Sequence, residues 1–346
     1  MNYWVVGYYG YGNTGDDDLL NQTLRLIRAT DNEATIRVAF PATPRSPLPD
    51  GVIATSRFST HEIVSALRQS DLIVFGGGGI FQDQTSLKSL IYYVSLVFAA
   101  RLFGLPVVLL GQGISRPKRL ISQQLIRWAL SQCSWIGCRD NDSLIELRRL
   151  TNSTKGILTA DLAFANRSPQ IHPIHRPYIA LSIRKPNHEL NWAPIAHFIT
   201  NSPLPILGLS FESPGDDVAI KSAFDSAQIP YPTITSLQHN FPRTSLSDGV
   251  PELVVAMRYH ACVWAALNGT PFLALAYDDK VISIANELGQ PAIDLREPSS
   301  DSEITTAVAI ALQNHTGLKR QILQYLPQLT RLADRNRAGL STVIGH

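Results

Sequence analysis

The 346-residue sequence predicts two open α/β domains, each a parallel sheet flanked by helices, facing one another across a cleft. Three observations carry that prediction. The chain exceeds the roughly 250–300 residues at which single hydrophobic cores stop growing. Short apolar, β-branched runs repeatedly end in glycine or a polar turn and lead into a helical pattern, the signature of parallel βα units. The alternation lapses once, between Ala165 and Pro177, in a polar, proline-bearing stretch that reads as a semi-rigid linker. The domains are therefore set at 1–166 and 167–346.

In the first domain the clearest units are Trp4-Val5-Val6 into a Gly-rich loop and Leu72-Ile73-Val74-Phe75 into Gly76-Gly77-Gly78-Gly79. Val107 to Leu110 into Gly111-Gln112-Gly113 follows, then Trp135-Ile136-Gly137-Cys138 into Arg139-Asp140. Leu90 to Leu110 is apolar enough to suggest a membrane span, but Gly104-Leu105-Pro106 interrupts it. It reads as a buried helix followed by a core strand, and a peripheral membrane contact stays compatible with it. The second domain runs from Tyr178–Ile183 into Arg184, through Ile206–Ser210, to Leu253–Met257 into Arg258-Tyr259-His260. It closes with Pro271 to Tyr277, a helix near Ile282 to Leu288, and a helical tail rich in Leu and Arg. His172 and His175 fall in the linker and take no role.

Composition excludes several classes. Hydrophobic content of 45% with 17% charged residues fits a folded chain with a good core. Thirty Lys and Arg against 28 Asp and Glu give a net charge of +2, too balanced for non-specific nucleic-acid binding. Three cysteines without a CxxC pair indicate neither a disulfide framework nor a zinc site, and a reducing cytoplasm fits them. The start, Tyr3-Trp4-Val5-Val6, is strand-like rather than a cleavable leader, which argues against secretion.

Open α/β sheets bind ligands at the carboxyl ends of their strands. Gly10-Tyr11-Gly12-Asn13-Thr14-Gly15 satisfies the dinucleotide fingerprint there, with Asp31 about 20 residues on. Asp16, Asp17 and Asp18 spoil the reading, because they put carboxylates at the helix N-terminus where a pyrophosphate would lie. Two like charges 4 Å apart near a protein surface repel by about 4 kcal/mol, against roughly 0.3–1 kcal/mol of helix-dipole attraction. A neutral, hydroxyl-rich ligand fits better: Asn13, Thr14, Asp16 and Asp17 would bond sugar hydroxyls, and the backbone at Gly78 and Gly79 would approach the same ligand. N-capping alone explains at least one of the Asp residues.

The second domain offers the opposite charge. Arg258 and His260 stand between an apolar strand and an apolar helix, where guanidinium, backbone N–H groups and dipole favour an anion. Arg184 ends another strand, Lys280 follows the Tyr277-Asp278-Asp279 turn, and Arg139 ends a strand of the first domain. Each alone reads as a surface ion-pair partner, whereas the set at strand ends points to a shared anion site.

With those stretches in hand, the sequence resembles the polysaccharide pyruvyl transferase family, particularly its bacterial cell-surface-anchoring branch. The matching segments run in order: Gly7 to Asp16, Val74 to Gly79, Gly111-Gln112-Gly113-Ile114, Arg139-Asp140, Ser182-Ile183-Arg184, Met257 to His260 and Ala276 to Val281. In the last, Asp279 replaces the more usual proline. The resemblance implies a glycosyltransferase-B-like arrangement of two Rossmann-like domains, phosphoenolpyruvate as donor, and a cyclic ketal on a glycan acceptor, free or lipid-linked. It implies His260 as catalytic acid with Arg258 beside it, Arg139, Arg184, Arg258 and Lys280 as donor anchors, and an acceptor nearer the first domain. No cofactor or metal is called for, and the inner face of the plasma membrane is a compatible location. A nucleotide-sugar glycosyltransferase of the same architecture and a non-catalytic glycan-binding protein are the alternatives.

Overall fold

The computed structural model describes residues 1–84, 86–168, 176–185, 191–237, 249–298 and 300–345. His172 and His175 lie outside them. The chain folds into two parallel-sheet α/β units. The first comprises Met1–Gly12, Asp16–Asn166 and the residues from Leu329 on, and the second Asn13–Gly15 and Arg167–Gln328.

In the first unit β1 (Asn2–Val6), β2 (Thr35–Phe40), β3 (Ile53–Ser56), β4 (Leu72–Gly78), β5 (Val107–Gln112), β6 (Trp135–Cys138) and β7 (Ile157–Leu158) form one sheet. Its order is β3-β2-β1-β4-β5-β6-β7, and the strand direction is parallel throughout. The intervening helices are α1 (Thr14–Thr30), α2 (Thr60–Arg68), α3 (Leu87–Leu102), α4 (Leu120–Gln132) and α5 (Asn141–Thr151). Inward-facing Trp4, Val6, Ile73, Phe75, Val107 and Leu109 pack with α2 to α5 in one apolar core. Such near-continuous apolar strands are what a parallel sheet covered on both faces requires.

The apolar run from Leu90 divides as expected into helix α3 and strand β5, but α3 is not wholly buried. Leu90, Tyr93, Val94, Leu96, Val97 and Ala100 face the core, while Ile91, Phe98 and Leu102 are exposed. No helix among the described residues is long and apolar enough to cross a membrane.

The second unit has a six-stranded parallel sheet of order β10-β9-β8-β11-β12-β13. Its strands are β8 (Ile179–Ser182), β9 (Ile206–Ser210), β10 (Ile234–Ser236), β11 (Leu253–Ala256), β12 (Phe272–Ala276) and β13 (Ala292–Asp294). The helices are α6 (Ala193–Thr200), α7 (Gly215–Ala227), α8 (Tyr259–Leu267), α9 (Asp279–Glu287), α10 (Glu303–Gln313) and α11 (His315–Ile344). Leu181 packs with Ile179, Val255, Leu273 and Leu275 in a core that α6, α7 and α10 cover.

The sequence pattern assigns the whole helical tail to the second domain, and the structure divides it. Residues from Leu329 on belong to the first unit, where Asn336 accepts from the Gly111 N–H at 2.9 Å and Arg337 donates to the Ala29 carbonyl at 2.6 Å. Pro327, which has no N–H to offer the Leu323 carbonyl, lies just before this change of unit.

Candidate functional site

Register fixes the chemistry at the carboxyl edge of the second sheet. Ser182 of β8 is level with Ala256 of β11, and Ala256 with Ala274 of β12. Neighbouring strands are about 4.8 Å apart, so the residues just past these positions share one edge. They are Arg184, then Arg258 and His260, then Tyr277 and Lys280. The loop that leaves β9 on the other side of β8 enters the same edge.

Arg258 is the N-cap residue of α8 and is only 7% exposed. Its Nε and Nη2 donate to the two carboxylate oxygens of Asp216 at 2.7 and 2.5 Å, and Nη2 also reaches Glu212 Oε2 at 2.8 Å. Asp216 accepts in addition from the backbone N–H groups of Phe211 and Glu212. Burial pushes the Asp216 carboxyl upward, but four N–H donors support its ionised form, and the carboxylates hold the Arg258 proton against the cost of burial. Arg258, expected to aim its charge at an anionic donor, is paired here with carboxylates of its own unit. Its guanidinium is already matched by Asp216 and Glu212, and it fastens the β11–α8 turn to the loop after β9.

That loop also holds the fingerprint segment. Asn13 makes an isolated antiparallel bridge with Glu212, and the Thr14 N–H donates to the Phe211 carbonyl at 2.8 Å. The Asn13 side chain accepts from the Gly15 N–H at 3.1 Å, and Thr14 is buried. The third glycine of the fingerprint then meets His260. A β-carbon on Gly15 would overlap the imidazole ring, so the absence of a side chain there makes room for His260. His260 is half-buried and packs edge-on to Tyr259.

Arg184 and Lys280 converge on Tyr277. Arg184 Nη1 donates to the Tyr277 hydroxyl at 3.1 Å, its guanidinium carbon stands 5.2 Å from the ring centroid, and Lys280 Nζ stands 5.8 Å from it. Lys280 is balanced by Asp278 at 3.4 Å. Among the described residues no carboxylate pairs with Arg184. Asp279, at the position where proline is more usual, pairs with Arg296 at 2.6 Å.

In the first unit, the Asp run resolves into three different environments. Asp17 Oδ1 accepts from the Gly10 N–H at 3.0 Å and Oδ2 from the Ser46 hydroxyl, so both oxygens hold the glycine loop. Asp18 is buried beside Gln22. Asp16 lies nearest Gly78, whose φ of +81° only glycine adopts comfortably. The glycine run itself is largely engaged: the carbonyls of Gly76, Gly77 and Gly78 accept from the Tyr9 hydroxyl, Gln112 and the Gly113 N–H. Gly79 lies by the Gly113 carbonyl. Arg139 is 7% exposed, packs on Gly113 and donates to Asp140 at 2.9 Å, so the first unit uses its charge internally. Asp31, the apparent ribose anchor, accepts from the Tyr3 hydroxyl at 3.0 Å.

The sequence profile of the polysaccharide pyruvyl transferase family matches residues 13–216, more than half of the chain. The chain belongs to that family. The matched span opens at Asn13 and closes at Asp216, on the two segments that meet beside Arg258, and it contains Arg139 and Arg184. Among solved structures the polysaccharide pyruvyl transferase fold is shared with the Anabaena protein HepE in complex with UDP-glucose, at 11% identity over 100% of this chain and 99% of that one, with a TM-score of 0.61. Sucrose-phosphate synthase from Thermosynechococcus elongatus gives 10% identity, 99% coverage of both chains and a TM-score of 0.67. A putative UDP-N-acetylglucosamine 2-epimerase from Listeria monocytogenes gives 12%, 99% and 96% coverage, and 0.64. These likenesses place the chain among glycosyltransferase-B-like folds of two parallel-sheet domains. No curated protein sequence matches it.

Sequence reasoning missed Glu212, Asp216 and Tyr277. The stretch Phe211-Glu212-Ser213-Pro214-Gly215-Asp216 follows a strand at the ligand edge, which was the available signal, but an Asp opening a helix reads first as a dipole partner.

Proposed function

We propose that this chain transfers the pyruvyl group of phosphoenolpyruvate to a sugar of a cell-surface polysaccharide or its lipid-linked precursor, forming a cyclic ketal and releasing phosphate. The observation that carries the reading is the seating of His260 on Gly15, because it brings the proposed acid to the segment bearing Asn13 and Thr14. Membership of the polysaccharide pyruvyl transferase family supports a transferase reading.

His260, protonated, delivers its proton to the methylene carbon of the donor, leaving a cation-like central carbon that one sugar hydroxyl attacks. Phosphate then departs with the C–O electron pair, and a second hydroxyl of the same sugar closes the ring. Of the two hydroxyl protons lost, one replaces the proton given up by the histidine and one leaves with phosphate. Arg184 and Lys280, gathered on Tyr277, hold the donor's carboxylate and phosphate and stabilise the departing anion. Arg258 acts through position, as the clamp between the His260 turn and the loop at Glu212. Asn13 and Thr14, where the chain enters α1, bond acceptor hydroxyls.

Phosphate release from phosphoenolpyruvate, measured with a panel of glycans, tests the scheme. His260→Ala abolishes release while donor binding by calorimetry persists. Near-normal turnover by that variant, or thermal protection by a nucleoside-diphosphate sugar with none by phosphoenolpyruvate, overturns it.

A further inference from the structure

We infer that the outer face of α3 and the start of α4 form a docking surface for an anionic lipid bilayer, on which the protein lies without crossing it. The exposed residues Ile91, Phe98 and Leu102 are spaced to fall along one side of α3. Leu102 is 70% exposed, and at the start of the adjoining α4 Leu120 is 82% and Ile121 59% exposed. Phe98 contacts Trp128 of α4, which joins the two helices' apolar surfaces. Scattered exposed leucines need no explanation, whereas a joined patch of this kind marks an interaction surface.

Charge selects the partner. From residue 84 to residue 138 the chain has no Asp or Glu, yet it carries Lys88, Arg101, Arg116, Lys118, Arg119 and Arg127, all exposed. In a chain of net charge +2 this excess is local. Arg119 is partly matched by Asp83, 3.7 Å away. Helix α5, beside α4, is balanced, with Asp142 and Glu146 against Arg148 and Arg149. Apolar side chains rimmed by cations suit the headgroup region of an anionic leaflet, where chain stems sink and charges stay at phosphate level. No helix among the described residues is long and apolar enough to span, so the contact is peripheral. A membrane contact on this face is independent of the donor chemistry at the other unit's strand ends.

Sedimentation of the full chain with vesicles tests it, using phosphatidylcholine alone and phosphatidylcholine mixed with phosphatidylglycerol. Binding is expected to the mixed vesicles only, and to weaken with salt. Arg116→Ala with Lys118→Ala should lower partitioning about 25-fold, at roughly fivefold per cation near the surface. Leu102→Glu with Leu120→Glu should lower it at least about tenfold with unfolding temperature unchanged, since both positions are exposed. Absence of binding to mixed vesicles, equal binding to neutral ones, or indifference to both double variants overturns the proposal. So does self-association in solution that Leu102→Glu abolishes in a protein that ignores vesicles, because a second copy then covers the face.

Discussion

Replacing Gly15 by Ala separates a glycine kept for its neighbour from one kept for its backbone. Gly15 has no positive φ and stands in the first turn of α1, so alanine there would gain at most about 0.5–1 kcal/mol of helical preference. Against this, the new methyl group coincides with the His260 ring, and forcing extra volume into a packed contact costs about 1–3 kcal/mol. The net effect in the native background is destabilisation of up to about 2.5 kcal/mol, the larger cost less the smaller gain. In a His260→Ala background the ring is gone, and Gly15→Ala should then stabilise by the helical preference alone. Urea unfolding of the four proteins should therefore give a coupling of about 1–3 kcal/mol between two residues far apart in the sequence. On the proposed role of His260 as proton donor, activity should respond more steeply, because displacing a reacting group by about 1 Å costs on the order of 100-fold. Equal effects of Gly15→Ala with and without His260, or undiminished phosphate release, would refute the claim that this contact positions the acid.

Three further outcomes follow from the same geometry. Arg258→Ala strands Asp216, whose side chain is fully buried, and should destabilise the second unit by about 3–5 kcal/mol in urea unfolding, whereas Glu212→Gln, at a partly exposed partner, should cost far less. Arg184→Ala should raise the KM for phosphoenolpyruvate about tenfold with little change in unfolding temperature, because its hydrogen-bond partner among the described residues is the neutral Tyr277 hydroxyl. Burial opposes ionisation of Asp140, but Arg139 and the capped Ser143 N–H outweigh it and hold the carboxyl below its usual range. Stability from Asp140 is thus complete above the ordinary carboxyl range and lost as pH falls through it; between about pH 5 and 2 the native protein should lose more stability than Asp140→Asn.

Architecture was legible because parallel βα units write themselves locally: each apolar strand and the glycine or polar turn after it are contiguous. Pairing of charges was not. Arg258 and Asp216 are 42 residues apart, and nothing in either neighbourhood names the other. Composition at a strand end announces that a cation stands there, but whether it faces a ligand or an internal carboxylate depends on the next strand's loop. The same ambiguity split the Asp run. Asp17 became part of the loop only because Ser46, 29 residues away, returned to it. The tail was misassigned for a related reason: its Leu and Arg periodicity predicts a helix and its buried face, but not which sheet that face covers.

The shared fold leaves the donor open, since folds at 10–12% identity to this one occur with UDP-glucose bound and as epimerases and sugar-phosphate synthases. Side chains at the strand ends separate the classes. A fingerprint loop that seats a pyrophosphate needs bare N–H groups at its helix N-terminus. Here the first turn bears Asp16 and Asp17, the Thr14 N–H is taken by the Phe211 carbonyl, and the Gly15 N–H by Asn13. Those donors are already engaged in shaping the segment and joining it to the loop beside Arg258. On the proposed reading the donor's anionic groups go to a cation whose partner is neutral, and Arg184 against the Tyr277 hydroxyl is such a place. If Arg184→Ala left phosphoenolpyruvate affinity unchanged, the donor would have to be sought elsewhere along the same edge.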